Sequence, residues 1–78
     1  MLTQKDSSGQ RFVEVETLSD ERVRATYVPA DKAGYRVDSV RIQIRDQSGH
    51  LRQGPEVPVA ALGPLVAAFF ELVMDKES

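Results

Sequence analysis

The 78-residue chain has no Cys, no Trp and a single His. Without Cys there are no disulfides and no thiolate metal sites, and one His cannot build a zinc centre without several carboxylates. A chain this short makes one small domain, and such domains bury only a modest share of their surface. With neither disulfide nor metal to staple it, association with another copy is the remaining common source of stability. The lack of Cys also fits a reducing compartment. The uncharged run Pro58 to Phe70 has 13 residues, short of the roughly 20 that a membrane-spanning helix needs. The opening MLTQKDSSGQ is polar and shows no signal-peptide pattern. A soluble, cytoplasmic protein with no membrane partner is expected.

Signals of catalysis are missing too. No glycine-rich phosphate loop and no GxGxxG run is present. Ser39 and Ser48 have no base that the sequence can assign to them, and His50 stands beside a turn glycine. No catalytic residue, metal, cofactor or small-molecule substrate is expected.

What the chain does have is an apolar C-terminal stretch. Pro58 to Met74 reads PVAALGPLVAAFFELVM, with Glu71 as its only charge. Its spacing is that of a helix. A helix packed on one side shows a polar stripe on the other. Here Leu62, Leu65, Val66, Phe69 and Val73 form one seam, while Phe70 and Met74 carry a second apolar surface. The helix is therefore expected to be buried by more than its own domain, in a homodimer joined through Leu65, Val66, Phe69, Phe70, Val73 and Met74. Pro64 is tolerated if it falls in the first turn, so regular helix is expected to start between Val59 and Pro64 and to end near Asp75.

Ahead of the helix the period is two. RFVEVETL places Val13 and Val15 on one face and Glu14 and Glu16 on the other; RVRATYV separates Val23, Ala25 and Tyr27 from Arg22, Arg24 and Thr26. A three-residue loop from Ser19 to Glu21 would set Val15 opposite Ala25, Val13 opposite Tyr27 and Glu16 opposite Arg24. After the breaker segment Pro29 to Gly34, VRIQIR alternates again. Tyr35 and Val37 are out of phase with it, which a bulge or bend near Asp38-Ser39 would explain. Asp46 to Gly49 has the composition of a type I turn. That turn would place Ile44 opposite Leu51 and Gln43 opposite Arg52. Gly54-Pro55 must then break or bulge the next strand, whose two prolines assign it to an edge, with Val57 and Val59 resuming alternation around Pro58. The expected fold is α+β: residues 1–9 flexible, then a single ββββα domain over 10–78 with four antiparallel strands and one C-terminal helix. The helix should cover the apolar sheet face.

The net charge is −2, yet the middle of the chain is basic. Arg22, Arg24, Lys32, Arg36, Arg41, Arg45 and Arg52 face only Asp31, Asp38 and Asp46 between Arg22 and Arg52. On the polar sheet face Arg22, Arg24, Arg41, Arg45 and Arg52 are candidate phosphate contacts, because guanidinium groups grip phosphate in a fork and stack on bases. Phe12 and Tyr35 are the candidate stacking rings. The same arginines could instead be an ordinary solvated face, with Glu16 neutralising Arg24.

The stretch VRIQIRDQSGHLRQGPEVPVAALGPLVAAF resembles the transcriptional coactivator family called positive cofactor four, and the related Whirly proteins. The matching pattern is Ile42, Gln43, Ile44 and Arg45, then Asp46, Gly49, Leu51-Arg52 and Gly54, with a short apolar strand entering the helix. The resemblance implies four strands and a helix, dimerisation through that helix, and single-stranded DNA bound on the sheet with Arg45 and Arg52 near it. Where the family continues with a basic, glycine-containing run, this chain has Pro55-Glu56. Two readings follow. One is a transcription-related homodimer that binds single-stranded DNA or RNA on its outer sheet face. The other is a protein-interaction or assembly module that binds no nucleic acid.

Overall fold

The computed structural model describes residues 2–17 and 20–77. Leu18, in the first expected strand, and Ser19, in the first expected loop, lie outside the described residues. The fold is α+β. Strands β1 (Gln4–Lys5), β2 (Arg11–Glu16), β3 (Arg22–Val28), β4 (Ser39–Arg45), β5 (Leu51–Arg52) and β6 (Glu56–Pro58) precede one helix, α1 (Val59–Glu77). The sheet is antiparallel with order β1-β2-β3-β4-β5, and β6 pairs with β4 beside β5. Six strands thus replace the four expected.

Both added strands have local causes. Residues 1–9 were expected to be flexible, but Gln4 and Lys5 pair with Phe12 and Arg11. The turn that allows this is Asp6-Ser7-Ser8-Gly9. Gly9 takes φ +81° and donates its N–H to the Asp6 carbonyl, while the Asp6 carboxylate accepts the N–H groups of Ser8 and Gln10. Asp46-Gln47-Ser48-Gly49 repeats this geometry, with Gly49 at φ +86° and the Asp46 carboxylate accepting from Ser48 and His50. Only Gly takes such φ values without steric cost. The second addition comes from Gly54-Pro55, which splits the last expected strand into β5 and β6. The Pro55 carbonyl accepts the Ile42 N–H between the two halves. A Cβ on Gly54 would lie 1.8 Å from the Ile42 carbonyl oxygen, so the close crossing requires glycine.

The registers differ from the expected ones in an informative way. In the first hairpin Val15 faces Val23, Val13 faces Ala25, Glu14 faces Arg24 and Glu16 faces Arg22. The pairing is two positions from that expected, so every residue keeps its face. Thr17 closes the longer loop by bonding Glu21 through its N–H, and Asp20 takes φ +65°. Across the Asp46 turn, Gly49 acts as a one-residue bulge. Ile44 therefore faces Arg52 and Arg45 faces Leu51. A one-residue slip exchanges faces, so Leu51 joins the polar side and Arg52 the apolar side. The extra residue at Gly54-Pro55 reverses the exchange and returns Val57 to its place opposite Val40. A bend and not a bulge separates Tyr35 and Val37 from the strand: the irregular 29–38 segment bends at Arg36 and Val37, just before β4. Val59 is the first helical residue and not a strand residue.

Two faces result. One carries the cross-strand rows Val15–Val23–Ile44, Val13–Ala25–Ile42 and Tyr27–Val40–Val57. The other carries Glu16–Arg22–Arg45, Glu14–Arg24–Gln43 and Phe12–Thr26–Arg41–Glu56. The chain's small interior is on the second, polar side. Phe12, Val28 and Ala33 are the buried apolar residues among those described, accompanied by Thr26, Ser39 and Gln43. The 29–38 segment folds over one end of this face, burying Ala33 and bonding the Gly34 N–H to Glu56.

The helix does not cover the apolar face as expected. It meets the sheet chiefly at β6, the strand that leads into it. No linker separates Pro58 from Val59, and the Val59 N–H is bonded to the Asp38 carbonyl, so the direction of departure is fixed at the sheet edge. Pro64 is the sixth helical residue, past the first turn where it was expected, and withholds the N–H that the Ala60 carbonyl would accept.

Candidate functional site

The five arginines do not share one surface. Arg22, Arg24, Arg41 and Arg45 lie on the polar face, while the Gly49 bulge sends Arg52 to the opposite side. Each carries a carboxylate partner. Glu14 sits at the centre: its Oε2 is 2.8 Å from Arg24 and its Oε1 is 3.3 Å from Arg45. Arg41 pairs with Glu56 at 3.3 Å, Arg22 with Glu16 at 3.7 Å and Arg52 with Asp46 at 3.6 Å. Four carboxylates therefore answer five guanidinium groups.

The central network is the least solvated part. The Arg24 and Glu14 side chains are each 14% exposed. Arg24 lies 3.8 Å from the centre of the Phe12 ring, a cation–π contact, while its Nε is buried without a hydrogen-bond partner. Burial pushes the Glu14 pKa upward. Hydrogen bonds and charge from Arg24 and then Arg45 outweigh it and hold the carboxyl below its ordinary value. Arg45 also donates to the Gly49 carbonyl, tying the network to the hairpin turn. In that turn the Ser48 hydroxyl bond, with two backbone N–H groups and Arg52, keeps the Asp46 carboxyl low against a smaller opposing effect of burial.

The expected stacking rings fare differently. Phe12 is 7% exposed and covered by Arg24, so no base can reach its face. Tyr35 is exposed on the 29–38 segment. Tyr27, which the sequence assigned to the buried face, is exposed and donates its hydroxyl to Asp38. Lys5, Arg11, Lys32 and Arg36 have no carboxylate partner among the described residues. Lys5 and Arg11 are directly opposed on neighbouring strands. Arg11 and Lys32 share a shallow cleft with Tyr27 and Pro29. Lys32 and Arg36 belong to the basic middle of the chain, but no strand period groups these four cations; the 29–38 fold and β1 bring them to one end of the sheet.

The six residues expected in a helix contact are nearly all open. Val66, Phe69, Phe70, Val73 and Met74 are 47–69% exposed, and only Leu65 is half-buried. Leu72 adds to this surface. On the sheet, Val15, Tyr27 and Ile44 are exposed and the rest of the apolar face is half-buried. Among the described residues no helix is long and apolar enough to cross a membrane.

No family model, curated protein or solved structure matches the chain.

Proposed function

We propose that the chain is a homodimeric protein-interaction module whose working surface is apolar, with the arginine face serving as an ion-paired framework. The observation that carries this reading is the amount of surface one protomer leaves open. A folded chain of 8.7 kDa should expose about 4,700 Å²; this one exposes 6078 Å². Its radius of gyration is 14.0 Å, against about 11.5 Å for a compact domain of this length. The excess of about 1,300 Å² exceeds the roughly 800 Å² that each partner contributes to a standard interface. It falls within the range of obligate homodimers. Three buried apolar side chains among the described residues are too few to hold a lone domain against its conformational entropy. The paired arginines favour an interaction role because a phosphate must displace a carboxylate at each of them.

Light scattering at micromolar concentration tests the reading. The expected mass is twice 8.7 kDa, about 17 kDa. Phe70→Glu should give monomer or aggregate, since a buried unpaired carboxylate is costly. A monodisperse wild-type monomer would overturn the proposal.

The second reading is single-stranded nucleic-acid binding in the manner of the positive cofactor four family. The cations with no carboxylate partner among the described residues, Lys5, Arg11, Lys32 and Arg36, favour it, together with exposed Tyr27 and Tyr35. A labelled mixed-sequence oligonucleotide titrated at low and moderate salt decides between the two. Binding by phosphate contacts predicts log K falling by about 0.7 per neutralised phosphate per unit of log salt. Loss of that binding in Arg41→Glu/Arg45→Glu would place it on the strand face, and loss in Arg11→Glu/Lys32→Glu at the sheet end. No binding at low salt leaves the interaction module alone.

A further inference from the structure

We infer that the occupant of the open apolar sheet face is α1 of a second copy, so that each protomer's helix closes its partner's sheet reciprocally. This rests on the homodimer proposed above and adds its architecture. Three observations converge on it. First, the protomer has two large uncovered apolar surfaces that cannot meet within one chain. The helix follows β6 with no intervening residue, its first N–H is anchored to Asp38, and Val66 to Met74 extend into solvent. Folding it back over its own β2–β4 would break the β6 pairing with β4.

Second, the two surfaces match in size. The rows Val15–Val23–Ile44 and Val13–Ala25–Ile42, with Val40 beyond, span three strands and about four residue steps. That is about 10 Å across, widening to about 14 Å where β6 adds Val57, and about 14 Å along the strands. The open half of the helix, Val66 to Met74, is about 12 Å long. Third, the helix is apolar over about 200° of its circumference at 100° per residue, from Leu72 through Phe69 and Val73 to Met74. One sheet covers roughly half of that. The remainder is accounted for when two helices related by a twofold axis pack on each other while each lies on the other's sheet. Such an interface is self-complementary and closes at two copies.

The absence of Cys permits a clean test. Ala25→Cys stands at the centre of the sheet face, and Val66→Cys and Val73→Cys stand on the apolar arc of the helix; all are small changes. The two single-site proteins, Ala25→Cys and Val73→Cys, are mixed, exchanged and oxidised, and then run without reductant. The expected result is a covalent heterodimer between sheet and helix cysteines, repeated with Val66→Cys if Val73 is out of reach. Light scattering on each variant before oxidation reports whether it still dimerises. A dimer that gives no sheet–helix link at either helix position overturns the reciprocal arrangement and leaves the homodimer standing. A crosslink within one chain of the Ala25→Cys/Val73→Cys double variant overturns it in favour of a helix folded on its own sheet. A monomer in the wild-type protein overturns this inference and the homodimer together.

Discussion

Glu14 is the residue on which the polar face turns. It accepts from Arg24 on β3 and Arg45 on β4, and does so with little solvent around it. Replacing it by Gln leaves two guanidinium groups without their counter-charge and should cost about 2 kcal/mol at neutral pH. The pH dependence has a definite sign. The folded pKa of Glu14 lies below the ordinary 4.5, so its contribution is complete above the unfolded value and is lost as pH falls through the lowered folded value. Wild type should therefore lose more stability than Glu14→Gln on going from pH 7 to acid. Urea midpoints of both proteins, at one fixed concentration, give the comparison. Gly54 is the second decisive residue. Its missing Cβ leaves room for the Ile42 carbonyl, which as backbone cannot move aside. Gly54→Ala should lower stability by about 3 kcal/mol, read as a fall in melting temperature.

Among the elements, the two Asp-x-Ser-Gly turns act alike at opposite corners of the sheet. Each needs a left-handed glycine. Gly49→Ala should cost about 1 kcal/mol, because β4 and β5 flank it and Arg45 is tied to its carbonyl. Gly9→Ala should cost less, since only Gln4 and Lys5 depend on that turn. Thermal unfolding of the two variants checks the ranking. The first turn shows how much was readable. Asp6-Ser7-Ser8-Gly9 matches Asp46-Gln47-Ser48-Gly49 at three of its four positions, yet lacks an alternating strand before it, so the polar composition of residues 1–9 pointed to a flexible segment. The faces of β2, β3 and β4 followed directly from their period. Arg52 did not, because a glycine bulge shifts the phase of β5, and the composition of that turn is that of an ordinary tight turn.

For the whole molecule, fold and association are one equilibrium in the proposed dimer. Its melting temperature should rise with protein concentration, because dissociation accompanies unfolding. Calorimetry across a hundredfold dilution would show a lower transition in the dilute sample, and an unchanged transition would separate folding from assembly. The arginine face belongs to this scale too. Raising salt should weaken the exposed Arg22–Glu16 and Arg52–Asp46 pairs most and the central Glu14 network least, because screening acts through solvent.

Local chemistry along the chain determined the α+β class, the alternating faces, the turn at Asp46 to Gly49, the break at Gly54-Pro55 and an apolar helix with more greasy girth than one contact uses. These depend on residues a few positions apart, whose periods and φ preferences act wherever the chain goes. Tertiary structure alone decided that the helix leaves the sheet at β6, that Arg52 parts from the other arginines, and that a carboxylate meets each of the five. Those outcomes hang on strand register and on where a linkerless helix must point, which are set by contacts between segments distant in sequence.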